Sequence, residues 1–471
     1  RDLVSWTQLG HVIHRPDQLR YAGRGVSEGI FAPAISYHEG TFYVVCTMVG
    51  AGGNFVVTAT NPAGPWSDPV WLKFGGIDPS LFFDDDGRAY LVGNDEPAEK
   101  PRYEGHRAIW LQEFDLKTLQ VTGPRHLVVN GGVDLAKKPI WIEGPHVYKH
   151  DGAYFLCAAE GGTGPGHSQV IFRSQHVAGP YVPAEQNPIL TQRTVSAKHP
   201  EAVTNTGHAD LVQGPDGNWW AVFLGSRPYA GEFYATGRET FLLPVAWPKD
   251  GWPLILPAGQ RVPLQPSSPV TQASSPAPVP FTGNCTWSDS FDSAELSPLW
   301  IMLRAPSSRW WDLTTRKGTL LLAPRAESLS GKQNPSYLAR RLQHRRYDAT
   351  TTLEVPSTPG VSAGLAAFQA ETHHYFLAVR RTASAVEVFV ERLAGGAPVV
   401  AAHTELPADT RSVSLKISGD EAVVRFSYAT QPDNWTVLLP DADATILTTQ
   451  KAGGFVGATV GLHARLDSSA P

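Results

Sequence analysis

Short apolar runs punctuated by Asp-Gly or Glu-Gly pairs recur in a fixed order along the first half of the chain. The first segment is Phe31-Ala-Pro-Ala-Ile-Ser-Tyr-His-Glu-Gly40, followed by Thr-Phe-Tyr-Val-Val-Cys and Asn-Phe-Val-Val-Thr-Ala-Thr, and it ends at Gly64-Pro65-Trp66. The second begins Asp78-Pro-Ser-Leu-Phe-Phe, turns at Asp86-Gly87 and runs on to Gly123-Pro124. The third begins at Glu143, turns at Asp151-Gly152 and closes at Gly179-Pro180-Tyr181. The fourth begins at His208, turns at Asp216-Gly217 and reaches Trp247. Each reads as a hairpin on a tight turn plus at least a third strand. In all four, one residue stands nine positions before the turn glycine: Phe31, Asp78, Glu143 and His208.

Units of this kind, about 45 to 65 residues long with several strands and aromatic punctuation, are predicted to be propeller blades. A blade cannot bury both faces alone and stacks on its neighbours. The first strand of each blade lines the central axis, so the four register residues are expected at one mouth of the channel. The opening Arg1-Asp-Leu-Val-Ser-Trp6 resembles the blade ending at Trp66, which predicts the tail of a fifth blade. Its own register residue is expected roughly 30 residues before Arg1.

After Trp252 the pattern changes. Six prolines between Pro263 and Pro280 predict an extended linker that forms neither a central strand nor a helix. From Trp287 a second all-β pattern begins, with alternating runs at Leu320, Thr350, Ala363, Tyr375, Ala385, Ser412 and Glu421. It predicts an antiparallel β-sandwich. The expected organisation is a propeller over 1–262, a linker over 263–286 and a sandwich over 287–471.

Composition narrows the function. Forty-four glycines and 39 prolines suit short strands and turns, and a net charge of −5 gives no basis for binding nucleic acid or an acidic membrane. The three cysteines, Cys46, Cys157 and Cys285, have no metal-ligand spacing and suggest no disulfide framework. No apolar run approaches the roughly 18 residues of a membrane span. No export signal is visible, but the chain starts at Arg1 without Met, so that absence decides nothing; the location is left open, with a secreted or periplasmic one favoured.

The chemistry concentrates in the register. One acidic residue at a strand end is commonly a solvated turn residue. Two in neighbouring blades, Asp78 and Glu143, aimed at one channel mouth, suit glycoside hydrolysis, which needs one protonated and one ionised carboxyl. His208 in the same register is either a hydrogen-bonded structural histidine or a metal ligand. Arg238, at the start of the third strand of the last blade, suits sugar hydroxyls. Phe31 has no acid–base capacity and suits an apolar wall. Asp84-Asp85-Asp86-Gly87 lacks the spaced oxygens of a calcium loop and reads as a solvated hairpin turn. His373-His374 read as surface or packing residues. The glycine-rich Gly161–His167 stretch lacks the Lys-Ser/Thr pair of a phosphate loop.

Taken together, Gly29-Ile-Phe-Ala-Pro33, Gly76-Ile-Asp-Pro-Ser-Leu-Phe82, Ile142-Glu-Gly-Pro-His146, Glu160-Gly-Gly-Thr163, Thr206-Gly-His-Ala-Asp-Leu211 and Thr236-Gly-Arg-Glu-Thr240 resemble glycoside hydrolase family 43, in particular its β-xylosidases and α-L-arabinofuranosidases. The C-terminal half resembles the concanavalin-like sandwich, similar in kind to legume lectins, that many such xylosidases carry. The resemblance implies a five-bladed β-propeller and an inverting mechanism with no cofactor required for the chemistry. It implies that Glu143 is the general acid, that Asp78 orients it and tunes its pKa, that His208 is the channel histidine often associated with calcium, and that Arg238 contacts the sugar of the innermost subsite. Phe31 stands where many members have a tryptophan platform. The family's general base, an aspartate in Pro-Asp-Pro, has no counterpart here. Asp17, in Arg-Pro-Asp-Gln, is out of register, so the base is expected upstream of Arg1. The implied substrates are xylo-oligosaccharides or arabinoxylan. A non-catalytic carbohydrate-binding propeller is the alternative, and the ordered carboxylates around the axis argue against a protein-interaction propeller.

Overall fold

A computed structural model describes residues 3–214, 216–266 and 284–467. Much of the predicted linker, including Pro269, Pro276, Pro278 and Pro280, lies outside the described residues. The chain divides into two units: Arg1–Ile13, Glu28–Arg227 and Glu239–Gly283 form the first; His14–Ser27, Pro228–Arg238 and Asn284–Pro471 form the second. No helix among the described residues is long and apolar enough to cross a membrane.

In the first unit the four repeats are four antiparallel sheets. The first comprises β1 (Gly29–His38), β2 (Thr41–Val49), β3 (Gly53–Ala59) and β4 (Val70–Trp71). The second comprises β5 (Ile77–Phe83), β6 (Ala89–Asp95), β7 (Ala108–Asp115) and β8 (Gln120–Asn130). The third holds β9 (Glu143–His150), β10 (Ala153–Glu160), β11 (Ser168–Ser174), β12 (Val182–Pro183) and β13 (Leu190–Thr191). The fourth holds β14 (Thr204–Gln213), β15 (Trp219–Ser226) and β16 (Glu239–Val245). The hairpins turn where the sequence predicts. Glu39 and Gly40 both have positive φ (45° and 84°), as do Asp151 and Gly152 (47° and 76°), so two residues close each loop in the mirror-image turn that matches strand twist.

The first strands pack in succession, β1 on β5, β5 on β9 and β9 on β14. Apolar residues fill the space between sheets. Val45 and Val56 meet Leu81 and Leu91; Val92, Ile109 and Leu111 meet Val147, Leu156 and Val170; Phe155, Cys157 and Ile171 meet Ala209, Leu211 and Phe223. Each fully buried aliphatic or aromatic side chain contributes about 1.5–3 kcal/mol, so it is the interfaces between sheets that hold the ring.

Two expectations change. Residues 3–13 contain no strand, and Trp6 is 47% exposed whereas Trp66 is 3% exposed. The likeness of the two tryptophans is therefore one of sequence, because no described strand pairs with the segment holding Trp6. The Asp84–Gly87 turn is not wholly solvated. Asp84 is 7% exposed and accepts hydrogen bonds from Lys149 Nζ and the Tyr154 hydroxyl, both at 2.6 Å. Burial alone would raise its carboxyl, and those two donors outweigh it and hold it below the usual range.

The second unit is a sandwich of a seven-stranded and a four-stranded antiparallel sheet. The short strands β17 (Ile301–Met302), β18 (Trp311–Asp312) and β19 (Leu321–Leu322) come first, then β20 (Ser336–Arg341), β21 (Arg346–Glu354), β22 (Val361–Ala370), β23 (His373–Arg381), β24 (Val386–Ala394) and β25 (Val399–Leu406). They are followed by β26 (Ser412–Asp420), β27 (Val423–Ala429), β28 (Thr436–Asp443) and β29 (Thr459–Leu466). The larger sheet runs β17-β20-β29-β22-β23-β24-β25, the smaller β21-β26-β27-β28. Leu365, Leu377 and Val388 of one meet Leu415, Ile417 and Phe426 of the other. His374 is a packing residue, 3% exposed, and burial lowers its pKa to about 4.

Two stretches from the expected propeller range group with this second unit. The Gly23 and Val26 amides donate to the Lys332 carbonyl and the Glu371 carboxylate, and the Ala458 amide donates to the Ala235 carbonyl at 2.7 Å. Both stretches lack an apolar strand of their own, so their backbone groups are satisfied elsewhere.

Candidate active site

Each register residue stands at a break in its strand. The β1–β2 pairing slips between Phe31 and Ala34, and β5–β6 slips between Ile77 and Ser80, around Asp78. The β9–β10 pairing slips between Glu143 and His146, and β14–β15 between Gly207 and Asp210, around His208. A bulge turns its residue out of the strand's alternation and re-aims the side chain. Asp78 and His208 both lie in the left-handed region, with φ of 53° and 54°. For residues with a Cβ that conformation costs about 1–2 kcal/mol. The strain recurs at the same register in different blades, which marks a site rather than a local accident.

The bulges bring three blades together. His208 Nε2 lies 3.3 Å from Asp78 Oδ2, as a donor to the carboxylate. Gly144, at φ 54°, lies directly against the same imidazole: a Cβ there would stand 2.1 Å from His208 Cδ2 and 2.2 Å from Nε2. The residue following Glu143 is thus in contact with the ring that holds Asp78. Glu143 is 9% exposed and Asp78 6%. Phe31 pairs with Thr47, whose hydroxyl accepts from the Asp78 amide at 3.2 Å, so the Phe31 strand flanks Asp78. Arg238 immediately precedes β16 but belongs to the second unit, where its guanidinium donates to the Phe455 carbonyl at 3.2 Å and lies over the Phe455 ring. Asp78, Glu143, His208 and the Phe31 strand are therefore brought together within the first unit.

Polar side chains that the sequence reading passes over hold these strands. Thr47 donates to Asn54 Oδ1 at 2.6 Å, and Asn54 Nδ2 donates to the Phe74 carbonyl at 2.8 Å, ahead of β5. Ser80 Oγ donates to the Pro145 carbonyl at 2.6 Å, and Asn94 Nδ2 donates to the Ile142 carbonyl. Gln169 Oε1 accepts from the Ala209 amide at 2.9 Å, and the His167 imidazole donates to the Asn205 carbonyl at 2.9 Å. Through these contacts side chains of one blade hold backbone within four residues of the register residue of the next. The available signal was a polar residue inside an otherwise apolar run, since a buried polar group in a folded protein needs a partner. Farther along β9, the Tyr148 hydroxyl donates to Asp210 Oδ1 at 2.6 Å and accepts from the Leu211 amide at 2.7 Å, and His146 Nδ1 lies 3.5 Å from the same carboxylate. Burial raises the Tyr148 hydroxyl and lowers His146, which keeps both neutral at ordinary pH.

The described residues contain no group of three or more His, Cys, Asp or Glu able to hold a metal ion. Calcium prefers six to eight oxygen ligands, and the Asp78 carboxylate beside His208 is engaged by the imidazole itself. The donor set does not fit a protein-built calcium cage, and no chemistry is routed through a cation here.

Cys46 lies beside the site, with its thiol turned to the Phe31 carbonyl, and Cys157 lies in the core between β9 and β14. Burial pushes both thiols up to about 12. A thiol-selective disulfide reagent at pH 8 is therefore expected to label only Cys285 of the three in the native protein, and all three after denaturation. Labelling of two or more thiols in the native state would contradict the packing described.

Comparison with known proteins places the chain in a family. The family model for glycosyl hydrolases family 43 matches residues 1–253, and that for the beta xylosidase C-terminal concanavalin A-like domain matches residues 288–469. A "Xylosidase/arabinosidase" of Butyrivibrio fibrisolvens is 36% identical over 471 residues, covering 98% of this chain and 88% of that protein. A "Non-reducing end alpha-L-arabinofuranosidase" of Bacteroides ovatus is 34% identical, covering 98% of this chain and 83% of its own length. The crystal structure of a family 43 protein from a capybara gut metagenome superposes with a TM-score of 0.89 at 38% identity, covering 98% of this chain and 87% of that one. The fold class is accordingly all-β, a propeller-type domain followed by a concanavalin-like sandwich.

Proposed function

The chain belongs to family 43 of the glycosyl hydrolases, and on that footing we propose that it is an exo-acting, inverting glycosidase releasing terminal xylose and arabinofuranose from xylo-oligosaccharides or arabinoxylan. The observation that carries this reading is the meeting of Asp78, His208 and the Glu143–Gly144 segment at one place in three successive blades. Glu143 serves as the general acid that protonates the leaving oxygen. Asp78, fixed by His208 and by the Thr47 hydroxyl on its own amide, orients that acid. Phe31 supplies an apolar wall to the sugar ring, and Arg238 is assigned to sugar hydroxyls on the strength of the family resemblance. The base that activates water on the opposite face of the sugar is not assigned to any residue of this chain. Inversion requires that base and the acid to stand about 6.5–9.5 Å apart.

Xylopyranose and arabinofuranose present similar hydroxyl patterns to one pocket. If a single pocket serves both, 4-nitrophenyl β-D-xyloside and 4-nitrophenyl α-L-arabinofuranoside inhibit each other's hydrolysis by the full-length protein, each with an inhibition constant equal to its own KM. Additive rates in mixtures, or hydrolysis of neither compound, would overturn the dual assignment.

A further inference from the structure

We infer that Ser80 and Asn94, on the blade preceding Glu143, are positioning residues that set the aim of the acid. This rests on the reading of Glu143 as the general acid and deepens it. The two hydrogen bonds bracket Glu143 along the chain: Asn94 Nδ2 holds the carbonyl of Ile142, one residue before it, and Ser80 Oγ holds the carbonyl of Pro145, two residues after it. Between those anchors the β9–β10 ladder slips: Glu143 pairs with Ala159, and regular pairing resumes only at His146 with Cys157, so the acid stands at the edge of the break. Ser80 is 3% exposed and Asn94 2%, so neither competes with water for its partner. Both come from the same blade as Asp78, two residues ahead of Ser80 on β5. The carboxylate that orients the acid and the donors that fix its backbone therefore move as one body.

The same arrangement recurs on either side, where Thr47 with Asn54 serves Asp78 and Gln169 with His167 serves His208. General structural polarity does not predict a buried polar side chain bonded to the backbone within a few residues of the register residue three times. It is expected if the mouth of the channel is assembled blade by blade, each register residue placed by its predecessor.

An acid that is present but misaimed still binds sugar and fails at proton delivery, so the consequence depends on the leaving group. Ser80→Ala removes one oxygen and leaves the strand intact. In the full-length protein its kcat on xylobiose, whose leaving sugar needs the proton, is expected to fall about tenfold, and Asn94→Ala at least as far. Hydrolysis of 2,4-dinitrophenyl β-xyloside, whose leaving group departs unprotonated, is expected to stay within about twofold, with KM unchanged on both. Equal losses on the two substrates would show a merely structural role and overturn the inference, as would no loss on either. Glu143→Gln, measured in parallel, separates the two levels. If it gives the selective loss and Ser80→Ala does not, the positioning role fails while the acid stands. If it lacks the selective loss itself, the reading of Glu143 fails. Should Asn94→Ala not fold, Ser80→Ala alone decides.

Discussion

Replacing Glu143 with Gln in the full-length protein is expected to lower kcat on xylobiose by about a thousandfold, within the usual 10²–10⁴ contribution of general acid catalysis. The substitution keeps volume and leaves one oxygen in place, but an amide has no proton to deliver to a departing sugar alkoxide. KM should change little, because the lost interaction operates only as the glycosidic bond breaks. On 2,4-dinitrophenyl β-xyloside the loss should stay under about tenfold. The high-pH limb of the rate profile, which reports deprotonation of the acid, should disappear from the variant. One acid serving both substrates also requires that xyloside and arabinofuranoside hydrolysis fall together. If both survive undiminished, Glu143 is not the acid, and a carboxylate elsewhere in the channel must be sought. The environment makes Gln a clean probe: residue 143 is almost fully buried, and its flanking carbonyls are held by Ser80 and Asn94 rather than by its own side chain.

The register of the blades was legible because hairpin turns demand particular residues. Gly40, Gly87, Gly152 and Gly217 all have φ between 76° and 84°, a region where a Cβ is costly, so the sequence declares each turn. Counting back from those glycines locates Phe31, Asp78, Glu143 and His208 without further information. The bulges at those four positions were not legible, because a bulge depends on pairing with a second strand and leaves no fixed composition. The polar anchors were hidden for a related reason. Thr47 in Val-Val-Cys-Thr-Met-Val and Asn94 in Leu-Val-Gly-Asn each look like a single lapse in a strand, and their partners lie 31 and 48 residues away. In the second unit, the run from Tyr375 is β23, whereas β20 and β29 carry no alternating signal of their own. Ser-Tyr-Leu-Ala-Arg-Arg and Thr-Val-Gly-Leu-His-Ala-Arg-Leu mix apolar residues with Arg and His. They are nevertheless neighbours inside the seven-stranded sheet, where the Arg465 guanidinium is neutralised by Glu391 at 2.7 Å and the His463 imidazole donates to the Ser336 carbonyl. Tertiary partners supplied what the local pattern lacked.

Gly144 is the position at which the smallest change is expected to do most damage. Gly144→Ala adds one methyl group at φ 54°, and that carbon would stand 2.1 Å from the His208 ring. Two costs follow. The left-handed backbone is disfavoured by about 1–2 kcal/mol once a Cβ is present. More importantly, the ring or the strand must give way by more than an ångström to reach ordinary van der Waals contact. If the ring moves, His208 leaves Asp78, whose 3.3 Å contact has no slack. If the strand moves, Glu143 shifts with it against the anchors at Ile142 and Pro145. The first displacement frees the orienting carboxylate and the second moves the acid, and a misplacement of this size costs about a hundredfold in rate. Activity on xylobiose is therefore expected to fall at least that far, while three interblade cores away from the methyl group keep the fold, visible as an unchanged far-ultraviolet dichroism spectrum and a melting temperature lowered by only a few degrees. A second substitution distinguishes the routes. In Gly144→Ala/His208→Ala the obstructing ring is gone, so if the methyl acts by displacing Glu143 through that ring, the double variant should be no less active than His208→Ala alone. A double variant much weaker than either single change would mean that the backbone strain at residue 144, and not the contact with His208, is what the glycine relieves.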